Sequence, residues 1–580
     1  MTSSIIYYDD KMEQPGQLII LLNKLKPLIT GLGEPFTSQK SELLELISKC
    51  EIKPVSALKQ YHNLLLFLMA YPENETLLKK AQAELNRLKD ALDRIGMQGT
   101  RREKLSLDGS GFSYTTLTAR FSFELVKWLA EQFPNQVEFD SCAVDAYQAE
   151  QVMSMLMPVD QHDMIGSFYK ADLNKWMKFV TAKSNLSRLL WLIHRIQSVE
   201  GNTFTHHSLF ALLQVYITIT FSGNLHGLTE AYGLKNKPFY HNRLIKEVDP
   251  LKIIRAPVNP PEKITLDEKD HLVRTAKMVL CALMRETDPV TYAETQSTLF
   301  FKLNRGIAVA LYTINSERRL PMECYVGYLA FKNGMPVAYG GGWIYDHRAK
   351  IGINIFPAYR GGESAYLFSQ LIRLYAQYYN LNCFVAEPYQ IGNNNNDGIR
   401  SGAFWFYYKL GFRPVQHHLQ KLAKEEFHQI STNKNYRTSA VTLRKLAASN
   451  MQLIISEDFK SNEYFDLEEI IKLQLKTEAR NYGGNKRKAD EAAFNHLVKV
   501  LEIKNTGKWP VNELAAFKNA APVIALIPDI NTWNKKEKAA LIKTIRSKGL
   551  LNEKNYIFNF QKHHKLTSSL YALFKKHHKS

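Results

Sequence analysis

An α/β fold, with one mixed sheet flanked by helices, is what the sequence predicts for the middle of this 580-residue chain. Three observations predict it. Residues 325–332 and 335–344 are β-rich and flank Asn333-Gly334, a pair suited to a type I′ hairpin because that turn needs positive φ at both central positions. Residues 351–356 form an apolar extended run that opens through Arg360-Gly361-Gly362 into a helical pattern over 364–379. A second such unit follows, with a strand over 382–386, a polar loop over 390–398 holding four consecutive asparagines, and a helix over 401–410 closed by Gly411-Phe412. Antiparallel strands followed by strand–helix–strand–helix make an α/β layer around one mixed sheet.

The remaining elements follow in chain order. Residues 1–255 are expected to be mainly helical. Leu77, Ala81, Leu85, Leu88 and Leu92 share one helical face behind the start signal Asn74. Residues 123–133 form an amphipathic helix stopped by Pro134, and residues 186–196 are apolar nearly all round, as a central helix would be. Residues 209–221 read as a buried helix, short of the ~20 residues a membrane span needs. Pro257, Pro260 and Pro261 stiffen the chain into a boundary, after which residues 267–285 are helical and 306–314 β-rich. Beyond about residue 430 helices prevail, with short strands expected at 522–528 and 556–560 and a basic helix over 535–548 ended by Gly549. Three regions result: a helical one over 1–255, the α/β one over 262–425, and a basic, helix-rich α+β one over 435–580.

Charge and composition bound the function. The formal charge is +19, and residues 501–580 hold 15 Lys+Arg against 5 Asp+Glu. Such a surplus attracts polyanions, so nucleic acid, tRNA included, is one expected partner; a solvated lysine-rich surface is the plainer reading. Five scattered cysteines without a CxxC pair suit free thiols in a reducing cytoplasm rather than a disulfide frame or a zinc site. The opening residues carry no basic end followed by an apolar run, so no signal peptide is expected. His206-His207, His417-His418, His563-His564 and His577-His578 are adjacent pairs whose side chains diverge, and no metal is expected.

The chemistry concentrates between residues 351 and 412. A strand that opens through glycines into a helix presents unpaired amides and the positive end of a helix dipole to an anion. Arg360 adds a charge-assisted contact to the same anion. Together, Arg360-Gly361-Gly362-Glu363-Ser364-Ala365 and, some forty residues later, Ala403-x-x-x-Tyr407-x-x-x-Gly411-Phe412 resemble the paired motifs of the GNAT superfamily of acyl-CoA-dependent acyltransferases, over roughly residues 267–414. The resemblance implies acyl-CoA, acetyl-CoA in particular, as co-substrate, held between two splayed parallel strands. Backbone of Ile353, Ile355 and Phe356 would pair with the pantetheine arm, and Arg360, Gly361, Gly362, Ser364 and Ala365 would hold the pyrophosphate. Tyr407 would stand where the family protonates the leaving thiolate, with Tyr408 next in register. An amine acceptor must lose a proton, for which Glu387, at a strand's C-terminal end, comes first, ahead of Asp346 and His347. Gly340-Gly341-Gly342 strips side chains from a strand nearby, making room for a ligand or a bulge. Glu363 stands where the family has its central glycine, and Arg400 where it often has asparagine. Two further readings therefore stay open: a GNAT-like binding module without catalysis, and transfer from an aminoacyl-tRNA through the basic C-terminal region.

Overall fold

The computed structural model describes residues 15–53, 55–157, 173–182, 187–229, 237–456 and 467–578. The chain begins with four helices, α1 (Pro15–Leu28), α2 (Phe36–Ser48), α3 (Val55–Ala70) and α4 (Glu75–Gln98). The stripe on α4 is buried as its spacing predicts, and the Asn74 side chain caps the helix by accepting from the Leu77 amide. Helix α3 is buried on nearly every face and lies against the segment that follows the α/β region's fifth strand.

A small antiparallel sheet interrupts this helical region, made of β1 (Thr116–Ala119), β2 (Val137–Cys142) and β3 (Val215–Thr220) in the order β1-β3-β2. It corrects the expectation of one helix over residues 209–221. The helix Thr203–Leu213 ends at Gln214, whose φ of 47° turns the chain into β3. Val215, Ile217 and Ile219 then face inward and alternate with Tyr216, Thr218 and Thr220. A β-branched, period-two run of this kind fits a pleated surface better than a helix. The helix expected over residues 123–133 is present as Phe123–Gln132.

The central sheet has eight strands: β4 (Leu299–Lys302), β5 (Ile307–Thr313), β6 (Cys324–Lys332), β7 (Met335–Tyr345), β8 (Arg348–Ile355), β9 (Cys383–Ala386), β10 (Arg413–Pro414) and β11 (Met451–Ile454). Their order is β10-β11-β9-β8-β7-β6-β5-β4, and only the β8–β9 pair is parallel. The mixed sheet is as expected, and the Asn333-Gly334 turn adopts φ values of 47° and 82°, as a type I′ hairpin requires. Helix α5 (Leu266–Ala282) packs on one face, where Tyr312 of β5 donates to the Leu272 carbonyl at 3.0 Å. Helix α6 (Ser364–Tyr379) packs on the other, where Tyr375 donates to the Val326 carbonyl at 2.8 Å. Helix α7 (Ala403–Lys409) follows β9 after two short helices, Pro388–Ile391 and Asn396–Ser401, in the polar loop.

The C-terminal expectations need three corrections. Strand β11, assigned by sequence to the last region, is an inner strand of the central sheet, so the α/β region runs past residue 425 to at least Ile454. Residues 522–528 are no strand: Pro522 sits in the last turn of the helix Val511–Ile524. Residues 556–560 belong to the helix Lys554–Lys562, in which Tyr556, Ile557 and Phe560 are buried at helical spacing. The basic helix is present as Lys535–Ser547. No helix among the described residues is long and apolar enough to cross a membrane.

Candidate active site

The parallel strands β8 and β9 pair only through Arg348–Cys383, Ala349–Phe384 and Lys350–Val385. Beyond that β8 runs on to Ile355, while β9 ends at Ala386 and the chain turns at Glu387-Pro388 into the short helix Pro388–Ile391. The two strands fork here, and a fork frees one backbone edge of β8 from its ladder. Ile353 and Ile355 are half-buried along that edge, and Phe356 is buried with its ring stacked 5.6 Å from Tyr339. Gly352 lies at the fork's start; its carbonyl accepts from the Tyr328 hydroxyl at 2.7 Å. A Cβ on Gly352 would meet the Gln390 amide at 2.6 Å, so Gln390 occupies the space that the glycine leaves.

Helix α7 closes this side of the sheet. Its Tyr407 is 2% exposed and wedged edge-on between Phe368 and Phe412, with centroids at 5.5 and 5.3 Å. The hydroxyl lies towards the backbone of Ile353, yet it has no partner in good hydrogen-bond geometry among the described residues. Burial raises its pKa well above the usual phenol value, so the group stays protonated and keeps a proton to donate. Tyr408, a hundred-degree step round the helix, turns instead to Phe427 and to Arg413, whose guanidinium lies 4.0 Å from its ring centroid. Register therefore separates the two tyrosines, and Tyr407 is the one near the fork.

The loop that leads from β8 into α6 is partly covered by the N-terminal helices. A Cβ on Gly362 would lie 2.6 Å from the Tyr71 hydroxyl, and that hydroxyl accepts from the Glu363 amide at 3.3 Å. The amides of Arg360 and Gly362 are taken by Pro357 and Tyr359 carbonyls. At the head of α6, Ser364 and Ala365 are half-buried, and first-turn amides have no partner within their own helix. Arg360 and Gly361 are exposed. The carboxylate of Glu363 points away from the loop mouth. Its Oε1 accepts from Arg305 Nη2 at 2.5 Å and from the Ile245 amide at 2.9 Å, and its Oε2 from Lys332 Nζ at 2.7 Å. Burial raises its pKa, but the bond from Arg305 and the charge of Lys332 outweigh this and hold the carboxyl below 4.5. Two cations neutralise it, which removes the repulsion that a free carboxylate would exert on an anion in the loop.

On the opposite face of the sheet, strand register sets Gly327, Gly341 and Gly352 side by side across β6, β7 and β8. Next to this glycine row on the same face are Tyr325 and Trp343, stacked at 4.0 Å and 11°. Tyr339 lies on the other side of it, one pleat along. Glu387, 44% exposed, pairs with Lys350 at 3.1 Å at the mouth of the fork. Asp346 and His347 form the β7–β8 turn at the other end of β8, some eight residues and roughly 25 Å of strand from the loop before α6. Burial raises the Asp346 carboxyl's pKa, and the His347 ring contacts the Asn380 carbonyl at 2.9 Å. The space beside Gly340-Gly341-Gly342 is filled from within. A Cβ on each would meet Tyr328, Tyr325 and Tyr375 at 2.6, 2.6 and 2.8 Å.

Tyr71, Gln390 and the Tyr325–Trp343 stack were not singled out from the sequence. Only their alternation with glycine, Tyr325-x-Gly327 and Tyr339-x-Gly341-x-Trp343, hinted that one face would be aromatic around a bare centre. Arg400 is exposed on the short helix Asn396–Ser401. In the basic C-terminal region Glu502, Glu513, Asp529 and Glu553 each face a Lys or Arg, and Glu537 caps its own helix, so the remaining lysines are a net surplus. No group of three or more His, Cys, Asp or Glu among the described residues is arranged to hold a metal ion. No family model, curated protein or solved structure matches the chain.

Proposed function

We propose that this chain is an N-acyltransferase that moves an acyl group from an acyl-CoA to an amine. One observation carries the reading: the β8–β9 fork lies beside a buried phenol whose hydroxyl has no partner in good hydrogen-bond geometry among the described residues. A thioester arm laid along the free edge of β8 would pair with backbone at Ile353 and Ile355. Its pyrophosphate would meet the first-turn amides of Ser364 and Ala365, with Arg360 beside them. The amine's lone pair attacks the thioester carbonyl and the C–S bond breaks. The amine's proton passes to Glu387 at the open mouth, and the departing thiolate takes a hydrogen bond from Tyr407.

A second reading has its own observation. Tyr71 covers Gly362 and takes the Glu363 amide, which leaves less of the loop for an anion. This favours a domain of the same architecture used for binding, without chemistry. Calorimetric titration of the full chain with acetyl-CoA separates the two, alongside the Tyr407→Phe variant. The transferase reading expects micromolar binding by both proteins and acyl transfer to amines that falls at least tenfold in the variant. Absence of acetyl-CoA binding, or transfer unchanged by Tyr407→Phe, would reject it in favour of the binding domain.

A further inference from the structure

A cavity of about 520 Å³ opens on the far side of the sheet from the fork, where β4 and β5 form its edge. Its floor is apolar, made by Leu272 of α5 and by Phe300, Ile307 and Phe331 of the strands. Its rim carries Lys237, His271, Lys302 and Arg305, and no aspartate or glutamate is among the described residues that line it. The charge of Arg305 is already committed to Glu363. That of Lys302 faces Glu262 at 3.5 Å across an exposed gap, a pairing too weak to hold the ammonium against a better anion. Thr275, 0% exposed, lines the same cavity, and its hydroxyl has no hydrogen-bond partner among the described residues.

We infer that this cavity binds an amphipathic anion, a single carboxylate or phosphate head on an apolar body. The volume is that of a pocket for a small organic ligand, since such sites run from ~300 to 1,000 Å³. Charge selects the ligand class. A cationic or zwitterionic body would meet an unbalanced positive rim, whereas an anionic head meets Lys237 and Lys302 and leaves its apolar body on Phe300 and Phe331. An inorganic anion would gain the charge contact alone and leave the floor uncovered. This site does not rest on the proposed acyl transfer: it opens at the β4–β5 edge and reaches only to Phe331 of β6 and the Asn333-Gly334 turn, short of β8 and the fork.

The test is calorimetry of the full chain with four probes: decanoate, decyl phosphate, decanol and acetate. At least one of the two long anions is expected to bind, and which one does identifies the head group. Decanol, which lacks the charge, and acetate, which lacks the body, are each expected to bind at least tenfold more weakly. The paired substitution Lys237→Glu and Lys302→Glu should weaken the long anion at least tenfold. Lys302 is exposed, so the fold is expected to survive; an unchanged urea midpoint establishes that, and Lys302→Gln alone gives a milder second reading of the same charge. Failure of both long anions to bind, equal binding of decanol, or affinity that ignores both lysine variants would overturn the proposal.

Discussion

The carboxylate of Glu363 shows how much one side chain can decide. It is 1% exposed and joins Arg305 of the β4–β5 turn, Lys332 of β6, the Ile245 amide and the loop before α6 in one cluster. Removing one partner of a buried ion pair leaves the others charged and unpaired, at a cost of roughly 3–5 kcal/mol. Glu363→Gln is therefore expected to lower the unfolding free energy by about 3 kcal/mol or more, read from urea denaturation at neutral pH. The acid limb gives an independent check. The folded carboxyl titrates below the unfolded value of 4.5, so its contribution is complete above that pH and fades as pH falls through the lower folded value. The variant should lose this part of the wild-type acid dependence; the same acid slope in both proteins would refute the assignment. From sequence, Glu363 was a departure from a glycine pattern and its partners were invisible. Arg305, Lys332 and Ile245 lie 31 to 118 positions away, and only the closed sheet and the docked N-terminal region bring them together.

At the scale of elements, the strands and helices around the fork were legible because each carries its own local signal. The hairpin turn, the glycines before α6 and the left-handed Asn380 after it all act within a few residues. Register was not legible. Counting outwards from Lys332 and Met335 would set Tyr325 opposite Gly342, but an irregularity after Phe331–Pro336 leaves Val337 as an extra residue and sets Tyr325 opposite Trp343. A one-residue shift moves every later side chain to the other face. This bulge brings Tyr325 onto Trp343 and lines up the glycines. Gly340, which faces away from this row, and Gly352, which belongs to it, can be tested through what lies over each. A methyl on Gly340 would strike the Gly352 carbonyl at 2.5 Å and the Tyr328 hydroxyl at 2.6 Å, a backbone atom and a group bonded to it. A methyl on Gly352 would strike only the Gln390 amide, the end of a side chain that can swing aside. Gly340→Ala should thus cost about 1–3 kcal/mol by overpacking, and Gly352→Ala under about 1 kcal/mol. Equal urea midpoints for the two variants would show that the sheet yields around Gly340.

Across the whole molecule, two buried charge clusters tie the outer regions to the central sheet. Glu363 and Asn333 serve the N-terminal side. The Asn333 side chain donates to the Ala70 carbonyl at 2.9 Å and accepts from the Phe239 amide at 2.8 Å, so the hairpin tip is also a clasp. On the C-terminal side Arg319, 9% exposed, donates to the carbonyls of Lys548, Leu550 and Leu551, and Lys548 bonds back to the Glu323 carbonyl at 2.6 Å and to Glu553 at 2.5 Å. Neither clasp could be read from sequence, where the prolines near residue 260 and the basic tail suggested three separable parts. Strand β11 argues against separability as well, since a chain ended at residue 425 would lose the inner strand between β9 and β10. The regions should therefore unfold together. Arg319→Leu removes the donor to those three carbonyls and also the guanidinium that faces Glu553 at 3.9 Å, leaving that carboxylate with Lys548 alone, a loss of about 3 kcal/mol or more on the scale of buried pairs. In native-state hydrogen exchange, this loss should speed the amides of β6 and of the helices after residue 467 by the same factor, because one cooperative unit shares one opening free energy. Acceleration confined to residues 467–578, with β6 unchanged, would mean that the C-terminal helices are an independent unit resting on the sheet.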